Sequence, residues 1–464
     1  MNYCKIGARG NFWYCSARFL HAVQPLVPYL TKKPIFLLSL AVIATTLFSW
    51  FNVNSWLIIL LVIGRLADGG RPLEALRAAF TNRFFWAYFS LFAIEAAGML
   101  YTHDLFTAYK HVETKATLVA LPFVLCSGPV LDRRGFRRLM KGYCWLLVAT
   151  SVLCLVVAAF RLRQTGKIGV FFYHALTDVI GMNAVFFAAY ILIAIIFLLS
   201  PAGRGAYRGV LIVFFTGMML LLDSKLLLAL LAVVFIVSLR WRRLRLDTRR
   251  SAGMLALVIA GATALAVTKN PVRQRYRDIL HDNWRYLGEH HLAPQAEFNG
   301  VSLRLLIWQF AGEIVAERRA WWVGVTAGDS QDLLNRKYLA ANMHPRYLGY
   351  NFHNQFIEIY VRSGIAGLCI FLVAIVLLVQ LARRTGTKAG WLLLTTLLLL
   401  ALTESTLEMQ HSLFLFSFFP LLFGYAATNR QAIPGSAIIP SSGSLPDSSL
   451  RPATHDSSPS QRPG

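Results

Sequence analysis

The chain has 464 residues, a formal net charge of +24 and a hydrophobic fraction of 56%, with a mean hydropathy of +0.53. That apolar share exceeds the usual value for soluble domains and is gathered into blocks, which excludes a single soluble core. The basic residues fall between the blocks instead of covering a polar surface, so they argue for membrane topology and against nucleic acid as a partner.

Residues 1–33 are interrupted by charges and carry no clear small-residue cleavage site, so the first apolar helix is expected to act as an uncleaved signal. Within that cytoplasmic segment, Phe12 to Val23 is aromatic and basic and predicts a short interfacial helix. Apolar runs then predict spans near 34–50, 53–66, 84–101, 116–131, 142–160, 182–199, 209–222, 226–239, 251–268, 355–381, 390–403 and 411–427. Each can cross about 30 Å of hydrocarbon if tilt or local thinning is allowed. The expected fold is therefore an all-α polytopic integral membrane protein of about twelve transmembrane helices, nine of them within 34–268 and three within 353–427.

Orientation follows from the short connections. Arg133, Arg134, Arg137, Arg138 and Lys141 form one basic cluster, and Arg240, Arg242, Arg243, Arg245, Arg249 and Arg250 another, so both are expected in the cytoplasm. Counting helices from these clusters puts both termini inside and the one long polar segment, 269–352 between helices 9 and 10, outside. In that loop Val301, Leu303, Leu305, Leu306, Trp308, Phe310, Ile314 and Val315 recur near helical spacing and predict an amphipathic helix that lies on the membrane or closes over a cavity. The Ser- and Pro-rich tail 428–464 is expected to be disordered and cytoplasmic.

None of the six cysteines lies in the long loop, and Cys126, Cys144, Cys154 and Cys369 fall inside apolar runs. They read as small buried hydrophobes, not as a disulfide framework or a zinc site.

The loop enters helix 10 through Tyr350-Asn351-Phe352-His353-Asn354-Gln355, and Gly364-Ile365-Ala366-Gly367 follows after an apolar stretch. Upstream stand Ser302-Leu303-Arg304 with Trp308, then Gly324-Val325-Thr326-Ala327-Gly328. This order of motifs, set on many spans with one large late loop, resembles the O-antigen ligase and polymerase superfamily. One departure is Asp223-Ser224-Lys225, where many members have Ser-Arg; lysine keeps the charge but loses the bidentate fork.

The resemblance implies a bacterial inner-membrane enzyme with a periplasmic active site. It points to His353 as catalytic and to Arg304 as a substrate-handling arginine. It also implies an undecaprenyl-pyrophosphate-linked glycan as donor and lipid A-core as acceptor, with membrane lipids around the chain. The chemistry needs the same residue types, because glycosyl transfer to a hydroxyl requires a base near the acceptor and cations around the departing pyrophosphate. The positive end of the helix after His353 favours a neutral imidazole, the form able to accept a proton. The alternatives are that His353 only hydrogen-bonds in a loop or caps the helix, and that Arg304 faces headgroups or a salt-bridge partner.

Lys115, Arg161, Arg163 and Lys225 are expected at the outer ends of different spans, against the usual charge bias. Together with Asn354 they are candidates for a pyrophosphate pocket. Snorkelling to lipid phosphates is the competing role for each cation. His174, His281, His290, His291 and His344 are also expected outside, but no acidic ligand stands at convincing spacing. Because no Asp-Xaa-Asp occurs in the external loops, a metal-independent reaction without cofactor is expected. Glu404 and Glu408, near the last external turn, could face the cavity, but a solvated turn is the expected reading. A polymerase of the same superfamily is the first alternative function. A lipid-glycan flippase is the second, although it would place charges in helix interiors, not at external ends.

Overall fold

The structure is a computed structural model that describes residues 34–68, 72–128, 131–239, 263, 298 and 300–428. The tail Arg430–Gly464 lies outside the described residues. So do four regions discussed above: the N-terminal interfacial helix, the arginine cluster at 240–250, the ninth expected span, and His281, His290 and His291.

All regular structure among the described residues is helical. In chain order the helices are α1 (Pro34–Leu47), α2 (Phe51–Ala67), α3 (Pro72–Phe80), α4 (Arg83–Gly98), α5 (Leu105–Lys115), α6 (Thr117–Cys126), α7 (Arg133–Thr165) and α8 (Ala184–Leu199). They continue with α9 (Arg208–Leu222), α10 (Lys225–Leu239), α11 (Ser302–Arg318), α12 (Ser330–Ala340), α13 (Gln355–Thr385), α14 (Lys388–Thr403) and α15 (Gln410–Thr428). A helix therefore stands at every expected span inside the described residues. Among the described residues, α7 and α13 can each cross a membrane by length and composition, and up to four crossings result if two sharply bent helix pairs each count as one.

Local sequence explains these boundaries. Asp132 caps α7 by accepting the Gly135 N–H at 2.7 Å, and Gly166 ends it in the left-handed region at φ 65°. At about 1.5 Å per residue, its 33 residues exceed the hydrocarbon thickness. Helix α8 is apolar on every face, and all its residues are buried among α7, α9, α10 and α14. Several polar groups inside this core are paired. The Tyr143 hydroxyl donates to the Tyr190 carbonyl at 2.5 Å, and Tyr190 donates to the His411 carbonyl at 2.6 Å. The Asn54 amide donates to the Val42 carbonyl and to Thr45 and Thr46, tying α2 to α1, and Gln410 donates to Asn54 from the start of α15. Such bonds matter most in an apolar medium, where an unpaired amide costs several kcal/mol. Cys126, Cys144 and Cys154 are buried as expected, whereas Cys369 is exposed on α13.

Residues 301–352 build a second, smaller core. Leu306, Ile307, Phe310, Ile314 and Val315 of α11 pack with Leu334 and Tyr338 of α12 and with Tyr347, Phe352 and Val361. The expected amphipathic helix thus exists as α11, but its apolar face is covered by protein. Lys337 fastens α12 to α11 by pairing with Glu313 at 2.8 Å and Glu317 at 2.5 Å. Partial burial pushes its ammonium pKa down, and the two carboxylates outweigh that and raise it.

Helix α13 is broken. Gly364 has φ 61° and ψ −161°, and the Trp321–Thr326 strap lies in the gap. Val325 and Thr326 donate to the Val361 and Arg362 carbonyls at 2.8 and 2.9 Å, while Ile365 and Ala366 donate to the Trp321 and Trp322 carbonyls at 2.9 and 3.2 Å. The strap thus satisfies backbone groups that the break would otherwise strand. A Cβ at Gly364 would sit 2.3 Å from the Trp322 carbonyl, and one at Gly324 would sit 2.3 Å from that of Arg362. The first glycine of each motif is required by this close approach.

Candidate active site

Two segments meet over the first turns of α13. One is Asn351–Asn354, leading into the helix, and the other is the turn from Glu404 to Met409 between α14 and α15. Asn354 starts α13 by accepting the N–H groups of Phe356 and Ile357 at 2.9 and 3.2 Å, so its carboxamide oxygen is a helix cap. His353, one residue before, is held at φ 47°, with its N–H donated to Asn351 Oδ1 at 3.1 Å. A non-glycine residue in that region costs on the order of 1 kcal/mol, and such strain collects at functional sites.

The His353 ring turns toward Glu404, with Nδ1 3.2 Å from Oε2, and Tyr350 packs edge-on against it at 5.7 Å. The other carboxylate oxygen of Glu404 accepts Arg304 Nη2 at 2.8 Å. Arg304 also donates from Nε to the Thr403 carbonyl at 3.1 Å and from Nη1 to the Gly300 carbonyl at 2.6 Å. Both residues singled out from the sequence therefore meet on one carboxylate. A carboxylate accepts and does not donate, so in a neutral imidazole here Nδ1 carries the proton and Nε2 presents its lone pair. The His353 side chain is 24% exposed and that of Arg304 26%, which leaves room for a reactant, while Glu404 is nearly buried at 10%.

Beneath this trio lies a buried ionic network. Gln355, Glu358 and Arg362 stand at i, i+3 and i+7 on one face of the first half of α13 and grip the Glu404–Met409 turn. Gln355 Oε1 accepts the Leu407 N–H at 2.5 Å, Glu358 Oε2 accepts the Ser405 hydroxyl at 2.7 Å, and Arg362 pairs with Glu408. Arg362 also pairs with Glu358 at 2.6 Å. Lys115 lies 2.5 Å from Glu95 and 3.3 Å from Glu408, and His111 lies 3.5 Å from Glu408. Burial pushes the Glu408 carboxyl up, but Arg362, Lys115 and His111 overcome this and hold it well below the usual carboxylate range. Removing a cation from such a network costs roughly 3–5 kcal/mol by leaving a buried carboxylate uncompensated.

The solvated turn expected for Glu404 and Glu408 is thereby corrected, because both side chains are at most 10% exposed and paired with cations. The other expected cations are placed less closely. Lys115 is buried with Glu95 and Glu408. Arg161 pairs with Asp178 at 2.8 Å beyond the end of α7, Arg163 is exposed nearby, and Lys225 opens α10. His174 Nδ1 accepts the Ala184 N–H at 3.4 Å, and His344 Nδ1 accepts that of Arg346 at 3.2 Å. The sequence reading did not single out Glu358 or Arg362, although ionisable residues in an apolar helix are themselves a signal of function.

A search of curated protein sequences returned no match. A family model described as O-antigen ligase matches residues 209–372. That stretch runs from α9 through the second core to beyond the break in α13, and it contains Arg304, His353, Glu358 and Arg362. Over those residues the chain is similar to the O-antigen ligase family, and its helices α7 and α13 are long and apolar enough to cross a membrane.

Proposed function

We propose that the chain is an O-antigen ligase of the bacterial inner membrane. It transfers a glycan from undecaprenyl pyrophosphate to a sugar hydroxyl of lipid A-core at the periplasmic face, without a metal and with inversion at the anomeric carbon. The family match supports a lipid-linked glycan as substrate. The observation that carries the site assignment is the convergence of His353 and Arg304 on Glu404.

In this reading Glu404 holds the imidazole in the tautomer whose Nε2 can accept the acceptor hydroxyl's proton. As that proton moves, the hydroxyl oxygen bonds to the anomeric carbon and the bond to the pyrophosphate oxygen breaks. Arg304 is fixed by Glu404 and two carbonyls, so part of its planar fork remains to meet phosphate oxygens, where charge develops. Lys225, Arg161 and Arg163 would contribute further positive potential at the outer ends of their helices. Twelve spans with both termini in the cytoplasm, and the loop 269–352 outside, complete the arrangement.

The test is reconstitution in proteoliposomes with purified carrier-linked glycan, offering lipid A-core and a second carrier-linked glycan in parallel. Extension of lipid A-core, with the anomeric configuration inverted, is expected. Extension of the carrier-linked glycan alone would make the protein a polymerase. His353→Ala is expected to abolish most turnover while leaving carrier binding near wild type, and unchanged turnover would remove His353 from the mechanism.

A further inference from the structure

We infer that Glu358 is a positioning residue which sets the distance between His353 and Glu404 by clamping the two chain segments that carry them. The inference rests on the reading of His353 as base.

The clamp is one carboxylate oxygen. Glu358 Oε2 accepts the Phe352 N–H at 3.3 Å and the Ser405 hydroxyl at 2.7 Å. Phe352 immediately precedes His353 and Ser405 immediately follows Glu404, so one atom ties the backbone beside His353 to the side chain beside Glu404. The opposite oxygen faces Arg362 at 2.6 Å, and the Glu358 side chain is 1% exposed. Arg362 is itself anchored through Glu408, and its carbonyl receives the Thr326 N–H from the strap. Glu358 is thus fixed from below by the network and holds the site from above. Water cannot replace it, because the carboxylate is buried and both its donors are buried with it.

Glutamine is a poor substitute although it matches the shape. Oriented to accept from Phe352 and Ser405, it turns its NH₂ toward the Arg362 guanidinium, donor against donor. Flipped, it loses the acceptor that both segments share. The network also explains why this exchange need not unfold the protein. Glu95, Glu358 and Glu408 face the two basic side chains Lys115 and Arg362, so replacing Glu358 by an amide leaves two carboxylates for two basic partners.

The experiment is a double-mutant cycle on the full chain in proteoliposomes, using Glu358→Gln, Ser405→Ala and the pair, with His353→Ala as reference. Glu358→Gln is expected to lower kcat about 10–100-fold, the scale of a small misplacement of a reacting group, with KM for carrier-linked glycan within about twofold of wild type. Ser405→Ala leaves every charge in place and should lower kcat in the same way but less. The double variant should be no slower than Glu358→Gln, because both changes remove one bond and are not independent. A purely structural role would instead lower the yield of active protein and the thermal midpoint, with kcat per active site unchanged. That result, or independent additive losses in the pair, overturns the inference. If His353→Ala is inactive while Glu358→Gln retains wild-type kcat, the positioning role fails and the base survives. Wild-type turnover in His353→Ala means that the base assignment fails and this inference falls with it.

Discussion

Replacing Glu404 by glutamine probes the geometry of the site most directly. Glu404 receives donors on both oxygens, Arg304 Nη2 at 2.8 Å and His353 Nδ1 at 3.2 Å. An amide can accept on one side only. With its oxygen toward Arg304, its NH₂ faces Nδ1, which must then become the acceptor and move the proton to Nε2. The nitrogen intended as base is thereby blocked, although nothing has moved. Loss of general-base action costs about 10²–10⁴-fold in kcat, equivalent to roughly 2.7–5.5 kcal/mol of barrier. Carrier binding should change little, since Arg304 keeps its bonds to the Thr403 and Gly300 carbonyls. Initial rates of lipid A-core extension in proteoliposomes, measured over a range of carrier concentrations, separate the two effects. A Glu404→Gln enzyme within threefold of wild-type kcat, measured beside an inactive His353→Ala, would refute the tautomer argument.

Gly364→Ala should cost about 3 kcal/mol or more, because φ 61° is strained for alanine and the Cβ would meet the Trp322 carbonyl at 2.3 Å; an unchanged thermal midpoint in detergent would show that the strap can move aside. The Glu408 carboxyl is held below its ordinary value, so its contribution to stability is fully present above an unfolded pKa of about 4.3 and is lost as pH falls through the lower folded value. The margin by which wild type outlasts Glu408→Gln on heating should therefore be flat from pH 8 to about pH 5 and shrink only in stronger acid; loss of the margin by pH 6 would contradict the network. Transfer should persist in EDTA, and activity restored by a single divalent ion would count against a metal-free reaction. Cysteines introduced near His291 should react with a membrane-impermeant reagent from outside while those near Arg243 do not, and the opposite sidedness would move the site to the other face.

Helix positions were legible in the sequence because an apolar solvent leaves the backbone few choices. Runs such as Ala184–Leu199 must satisfy their amides within the run, so hydropathy alone locates α8 and the other apolar helices. The place of His353 at the mouth of a helix was legible too, since it stands directly before the first apolar turn, whereas its role as base rests on the family resemblance. What the sequence could not supply was the partner of each charge. Glu404 lies 51 residues from His353 and 100 from Arg304, and a carboxylate in a short polar turn reads as solvated until something covers it. The fold covers it by laying that turn on the Gln355, Glu358 and Arg362 face of α13. Gly364 and Gly324 likewise carry no local sign of their purpose, because the break in α13 is stable only while the strap donates and accepts hydrogen bonds within it. Hydrophobicity and caps act over a few residues and can be read in order along the chain. Charge pairing and close backbone approach act through space, and only the tertiary structure decided them.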